Sequence, residues 1–121
     1  FFAQLDYCGE WNYVNGWASV YPKGAWVPLH DHRPLHWSAA YYVKTHKDCG
    51  NIIFTDPKEY ALSNEPENTR WRGNVMHSVE PTDGMLLIFP SYLKHETLPN
   101  AVDEDRIIIS FNIQTTTSPS R

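Results

Sequence analysis

Val27-Pro28-Leu29-His30-Asp31-His32 is the stretch on which the reading of this chain turns. Pro28 and the β-branched start favour an extended segment, and Pro within it marks a sheet edge or a bend. In a strand, side chains alternate faces, so His30 and His32 point the same way and Asp31 points opposite. Two imidazoles on one face can grip one ion. The segment ends at Arg33-Pro34-Leu35, which places the pair at the end of a strand.

Outward from this stretch, the chain reads as a series of short strands. Upstream, Trp11 to Tyr21 is rich in aromatic and β-branched residues and stops at Pro22-Lys23-Gly24, which has turn chemistry. Downstream, Trp37 to Thr45 lacks apolar/polar alternation and is expected to be a strand buried on both faces. His46 to Gly50 turns the chain, and Asn51 to Thr55 is a strand closed by Asp56-Pro57. Lys58 to Gly73 is polar and carries no periodic signal, so it is expected to be an exposed loop or lid. Asn74 to Glu80, Met85 to Phe89, Leu93 to Leu98 and Arg106 to Gln114 complete the set, separated by Pro/Asn/Gly turns. Thr115 to Arg121 is a Ser/Thr-rich tail expected to fray. Strands at this spacing predict an all-β sandwich or jelly roll.

Whole-chain numbers agree with that class. At 121 residues one domain is expected, spanning 1–121. Aromatic content of 14% with nine prolines favours sheet over helix. The net charge of −4, without a dense Lys/Arg run, gives no support to nucleic-acid binding. Cys8 and Cys49 have neither metal nor redox spacing, so a reducing, cytoplasmic setting is expected. No apolar run approaches the roughly 20 residues of a spanning helix, and no secretory signal is read at the start. The chain opens on Phe1 rather than Met, so further residues are expected before it. The oligomeric state is not readable.

Two residues far downstream extend the His30/His32 pair. His95, on a late strand, can be brought opposite the pair by antiparallel pairing, and three imidazoles with open positions suit a catalytic iron or zinc site. Arg106 heads a strand on which Ile108, Ser110 and Asn112 share its face. A cation there is expensive to bury unless it meets an anion, ideally a carboxylate held by two hydrogen bonds. The alternative is an ion pair with Asp103, Glu104 or Asp105 at the strand's edge.

The ordered set Tyr21-Pro22, His30-x-His32, Tyr41-Tyr42-Val43, Gly50-Asn51-Ile52-Ile53-Phe54, Phe89-Pro90, His95 and Arg106 resembles the 2-oxoglutarate/Fe(II)-dependent oxygenases. The resemblance runs from about Trp17 to Asn112. It is closest to the prolyl-hydroxylase-like side and to a bacterial and phage group. It implies a double-stranded β-helix, a cupin-like jelly roll, with Fe(II) held at one mouth by His30, His32 and His95. It further implies that Arg106 binds the distal carboxylate of 2-oxoglutarate, with Tyr42 and Ser110 as hydrogen-bonding neighbours and Tyr21 lining the cavity. The implied activity is hydroxylation of a small molecule or a protein side chain, with succinate and CO2 as coproducts. A three-histidine cupin dioxygenase that uses no keto acid, and a non-catalytic jelly-roll module, are the rival readings.

The chain departs from the superfamily's usual His-x-Asp/Glu pair, because His32 stands in the carboxylate position. Two ligand registers follow: His30/His32/His95, which is favoured, or a kinked site that uses Asp31 with one of the histidines. His36 and His77 are candidates for a role beside the pocket. His46, in a polar turn, is expected in solvent, and Trp11, Trp17, Trp26 and Trp37 are expected to pack in the core or at the rim.

Overall fold

The computed structural model describes residues 10–55 and 76–116. Within them lie eight strands: β1 Glu10–Tyr21, β2 Val27–His30, β3 Trp37–Lys44, β4 Ile52–Thr55, β5 Met76–Val79, β6 Leu86–Pro90, β7 Lys94–Thr97 and β8 Arg106–Thr116. Gly24 and Gly84, with φ of 86° and 78°, sit in the left-handed conformation that the expected turns at 22–24 and 81–84 require. Cys8, Asp56-Pro57 and the proposed lid Lys58 to Gly73 lie outside the described residues.

The strands form two four-stranded sheets, ordered β1-β8-β3-β6 and β2-β7-β4-β5. Every pairing is antiparallel. The fold is an all-β double-stranded β-helix, or jelly roll. Its core is apolar, with Ala40, Tyr42, Ile52, Phe54, Leu87, Phe89, Leu93 and Ile108 buried in one cluster. Burial of these side chains is the main force holding the sheets together.

A bulge in β1 decides what that strand shows the interior. Tyr13 opposes Ile113 and Asn15 opposes Asn112, so Val14 is an extra residue with no partner. The insertion exchanges the two faces. Before it Tyr13 is exposed; after it Trp17 and Tyr21 line the pocket and Asn15 bonds its wall.

Two sequence expectations need correction. β3 is buried on both faces only at Ser38, Ala39 and Ala40; beyond them Tyr42 stays buried on the inner face while Tyr41 and Val43, on the opposite face, are 38% and 44% exposed. The end of β8 is also longer than expected. It runs to Thr116, held where the Thr115 N–H donates to His36 Nδ1 at 3.0 Å.

Candidate metal centre

His30 ends β2, His95 lies on β7, and the two residues are direct cross-strand partners. His32, two residues past His30, completes the group: one nitrogen from each of the three rings lies within 4.8 Å of the others. The rings contact one another, with centroid distances of 4.3 Å for His30 and His95, 4.9 Å for His30 and His32, and 5.2 Å for His32 and His95. His95 is buried against Phe54 and Phe89.

Hydrogen bonds set two of the rings as nitrogen donors. His30 Nδ1–H donates to Pro28 O at 2.7 Å and His95 Nδ1–H to Leu93 O at 2.9 Å. A carbonyl oxygen can only accept, so the proton is on Nδ1 and the lone pair on Nε2. Burial pushes His95 down to about 4 from 6.5, reinforced by its two imidazole neighbours and partly offset by the bond to Leu93. Burial, and then His30, also lowers His32. Three rings this close together, each offering a nitrogen lone pair, fit a divalent transition metal.

Asp31 is not in this group. Its carboxylate is held by Arg33, whose backbone N–H and Nε bond Oδ1 at 3.0 and 3.1 Å and whose Nη2 bonds Oδ2 at 3.1 Å. Those bonds, first the side-chain one, keep Asp31 below its usual range.

A cavity of about 270 Å³ runs inward from the histidines between the sheets. Tyr21, Tyr42 and Ser110 line it, as do Trp17, Ser38, Thr97 and Asn112. The sequence reading missed Thr97 and Ser38 in particular. Strand parity was the available signal, because Thr97 follows His95 by two residues and Ser38 precedes Tyr42 by four. Tyr42 is 1% exposed, and burial pushes its hydroxyl up to about 12 against the opposing effect of Arg106. It is therefore a phenol able to donate at any physiological pH.

Arg106 lies behind the pocket wall and is fully buried. Nη1 donates to the carbonyls of Cys49, Gly50 and Leu98, and Nη2 to Thr97 Oγ1 at 3.3 Å. The guanidinium carbon sits 4.5 Å from the centroid of the Tyr21 ring. Gly50 is required for this cage: it has a φ of 99°, and a Cβ there would collide with Leu98 O and Arg106 Nη1. The edge ion pair considered from sequence does not form, since Asp103 meets Lys23 and Glu104 meets His46. Among the described residues no carboxylate pairs with Arg106, and its Nε, buried, has no hydrogen-bond partner. A buried guanidinium is thus left with one N–H open and no carboxylate beside it among the described residues.

His46 departs from expectation. Its Nδ1 lies 2.7 Å from Glu104 Oε2 and its Nε2 is buried. His36 caps the end of β8, and His77 stands on β5 beside a separate apolar cavity. Trp17 walls the pocket and lies 6.1 Å from the His32 ring, whereas Trp11 and Trp26 are exposed.

Fold and site together define a jelly roll with a three-histidine centre at one mouth, fitted to a divalent metal. Residues 15–112 match the family described as "Putative 2OG-Fe(II) oxygenase". The chain belongs to the 2-oxoglutarate/Fe(II) oxygenase family, a family of oxidoreductases. No functionally curated protein matches it in sequence.

Solved structures agree on the fold. A Pseudomonas putida prolyl-4-hydroxylase superposes with a TM-score of 0.60 at 23% identity, over 84% of this chain and 52% of its own. A 2OG-Fe(II) oxygenase family oxidoreductase from Burkholderia pseudomallei gives 0.68 at 11%, over 90% and 47%. A cupin domain from Bordetella pertussis gives 0.52 at 12%, over 93% of this chain and 99% of its own. The chain thus spans about half the length of the oxygenases it resembles.

Proposed function

We propose that this chain is an Fe(II)- and 2-oxoglutarate-dependent dioxygenase that hydroxylates a small molecule or a protein side chain, releasing succinate and CO2. The observation that carries this reading is a cavity with three imidazole donors in its wall and, packed directly behind its lining residues Tyr21 and Thr97, a buried Arg106 whose Nε is open. His30, His32 and His95 would hold the iron, which, with the keto acid, supplies oxidative decarboxylation and C–H oxidation.

The chain's own residues do the rest. In the neutral rings of His30 and His95 the Nδ1–H bonds to backbone carbonyls leave the Nε2 lone pair as the donor. Arg106, backed by Tyr21, would orient the distal carboxylate. Tyr42, held as a neutral phenol, would donate to an anionic oxygen, and Ser110 would add a second hydroxyl. Three neutral ligands leave the full ferrous charge in place, which a dianionic keto acid balances. Trp17, Phe89 and Ile108 narrow the water-accessible space around these groups. No helix among the described residues is long and apolar enough to cross a membrane. With Cys49 a buried free thiol, we place the protein's work in the cytoplasm.

Anaerobic addition of 2-oxoglutarate to the Fe(II)-loaded protein tests this. A visible metal-to-ligand charge-transfer band, with succinate formed once oxygen is admitted, is expected. Iron binding with neither signal would transfer the site to the second reading, a three-histidine cupin dioxygenase that takes its substrate on the metal without a keto acid. That reading draws on the whole-length match to a cupin domain and on the engagement of Arg106 Nη1 by backbone carbonyls. A protein that retains no metal would instead be a jelly-roll binding module.

A further inference from the structure

The three imidazoles are not fixed alike. His30 and His95 each donate Nδ1–H to the carbonyl two residues back, which sets both tautomer and ring orientation. The His32 ring makes no hydrogen bond of this kind among the described residues. What holds His32 is its backbone: its N–H donates to Ser91 O at 2.8 Å, and its carbonyl accepts from Leu35 N–H at 3.1 Å.

Ser91 is itself anchored by an unusual group of side chains. It is fully buried, in the turn between β6 and β7, and its hydroxyl lies 2.8 Å from Ser38 Oγ. Ser38 on β3 donates to Asn112 Oδ1 on β8 at 2.7 Å, and Asn112 Nδ2 donates to Asn15 Oδ1 on β1 at 2.9 Å. Because the Ser38 hydrogen is committed to Asn112, Ser91 is the donor in the first bond. The bonds thus run in one direction, from the turn that grips His32, across the sheet, to exposed Asn15 at the bulge.

Ser38 and Asn112 are each 2% exposed. An apolar core would be simpler at these positions, since a half-satisfied buried hydroxyl is destabilising. A fully connected chain instead fixes one geometry, and here that geometry is the placement of the Ser91 carbonyl.

We propose that Ser38, Ser91 and Asn112 are positioning residues for His32, supplying through its backbone the fixation that its ring lacks. The proposal rests on the three-histidine metal reading. Removing the Ser38 hydroxyl leaves the Ser91 hydroxyl without its acceptor, so that only backbone bonds, Ser91 N–H to His36 O and Leu93 N–H to Pro90 O, each 3.0 Å, still hold the turn, and the His32 peptide can shift relative to His30 and His95.

Co(II) binding to the metal-free protein, read as a dissociation constant and as the visible ligand-field spectrum, gives the test in a double-mutant cycle. Ser38→Ala should weaken Co(II) about tenfold, the scale of outer residues that orient ligands, and alter the spectrum. In a His32→Ala background the same change should have less than about a twofold effect, because the residue it positions is gone. Equal weakening in both backgrounds, or none in either, overturns the proposal. If Ser38→Ala does not fold, Ser91→Ala, which leaves Ser38 its bond to Asn112, carries the same cycle with the same expectations. Wild-type protein that takes up no Co(II) would overturn the metal reading itself, whereas wild-type binding without coupling overturns this proposal alone.

Discussion

The histidine mouth of the pocket and the Arg106 cage behind its wall lie between the same pair of sheets yet handle charge in opposite ways. At the histidine end every polar group can be neutral, and burial together with mutual repulsion makes it so for His95 and His32. Behind the wall, the fold brings three backbone carbonyls and Thr97 to the Arg106 guanidinium and still leaves Nε open. The first suits a cation because its three close nitrogens offer lone pairs. The second attracts an anion because its charge is only partly compensated. A ligand with a chelating head and a distal carboxylate answers both at once.

The largest effects are expected from substitutions among the histidines. His95→Ala should weaken Co(II) by more than the ~100-fold seen for residues that merely orient ligands, measured by calorimetric titration. It also removes packing from Phe54 and Phe89, so the melting temperature should fall. From the other side, Arg106→Leu should leave Co(II) affinity within about threefold while 2-oxoglutarate binding drops about 100-fold, in line with loss of one partner of a buried charge pair. Gly50→Ala should reproduce that split without changing any charge, by displacing the guanidinium. Loss of metal in either variant would show that the ends are not independent.

Acid sharpens the contrast by a smaller margin. His95 is lowered to about 4 from 6.5, so between those values the unfolded chain binds a proton that the folded chain refuses. Its contribution is present above the unfolded value and is lost as pH falls toward the folded one, on the order of 2 kcal/mol. Urea unfolding of chelator-treated protein at pH 7 and pH 4.5 should show the loss, and His95→Gln should flatten it. The smallest effect is expected far from either end. His36→Ala releases Thr115 and should cost about 0.5–1 kcal/mol, with keto-acid binding unchanged.

Much of this was legible in the sequence because the signals were local. The turns at 22–24 and 81–84 carry their conformation in Pro, Asp and Gly. The eight strands begin and end within a few residues of where pattern places them. His30, His32 and His95 stood out because histidine is scarce and chemically specific, and parity put Ser110 and Asn112 on the Arg106 face. The sheet order β1-β8-β3-β6 was not legible, since it joins segments nearly a hundred residues apart. Nor was the cage around Arg106, because every residue carries a carbonyl and nothing in Cys49 or Leu98 advertises where its own points. The ties of His36 to Thr115 and of His46 to Glu104 were hidden for the same reason: each depends on side chains more than fifty residues away in sequence.

The unpaired Val14 bears on how this chain can change in length. Ahead of it, β1 presents outward-facing residues, so a residue gained or lost between Glu10 and Tyr13 alters only the outer edge. Beyond it, Trp17 and Tyr21 must keep their register with Ser110 and Arg106. A single deletion between Gly16 and Tyr21 would turn part of the pocket wall out to solvent and bring Ala18 or Val20 in. Insertions and deletions in β1 should therefore be tolerated on one side of Val14 and not on the other.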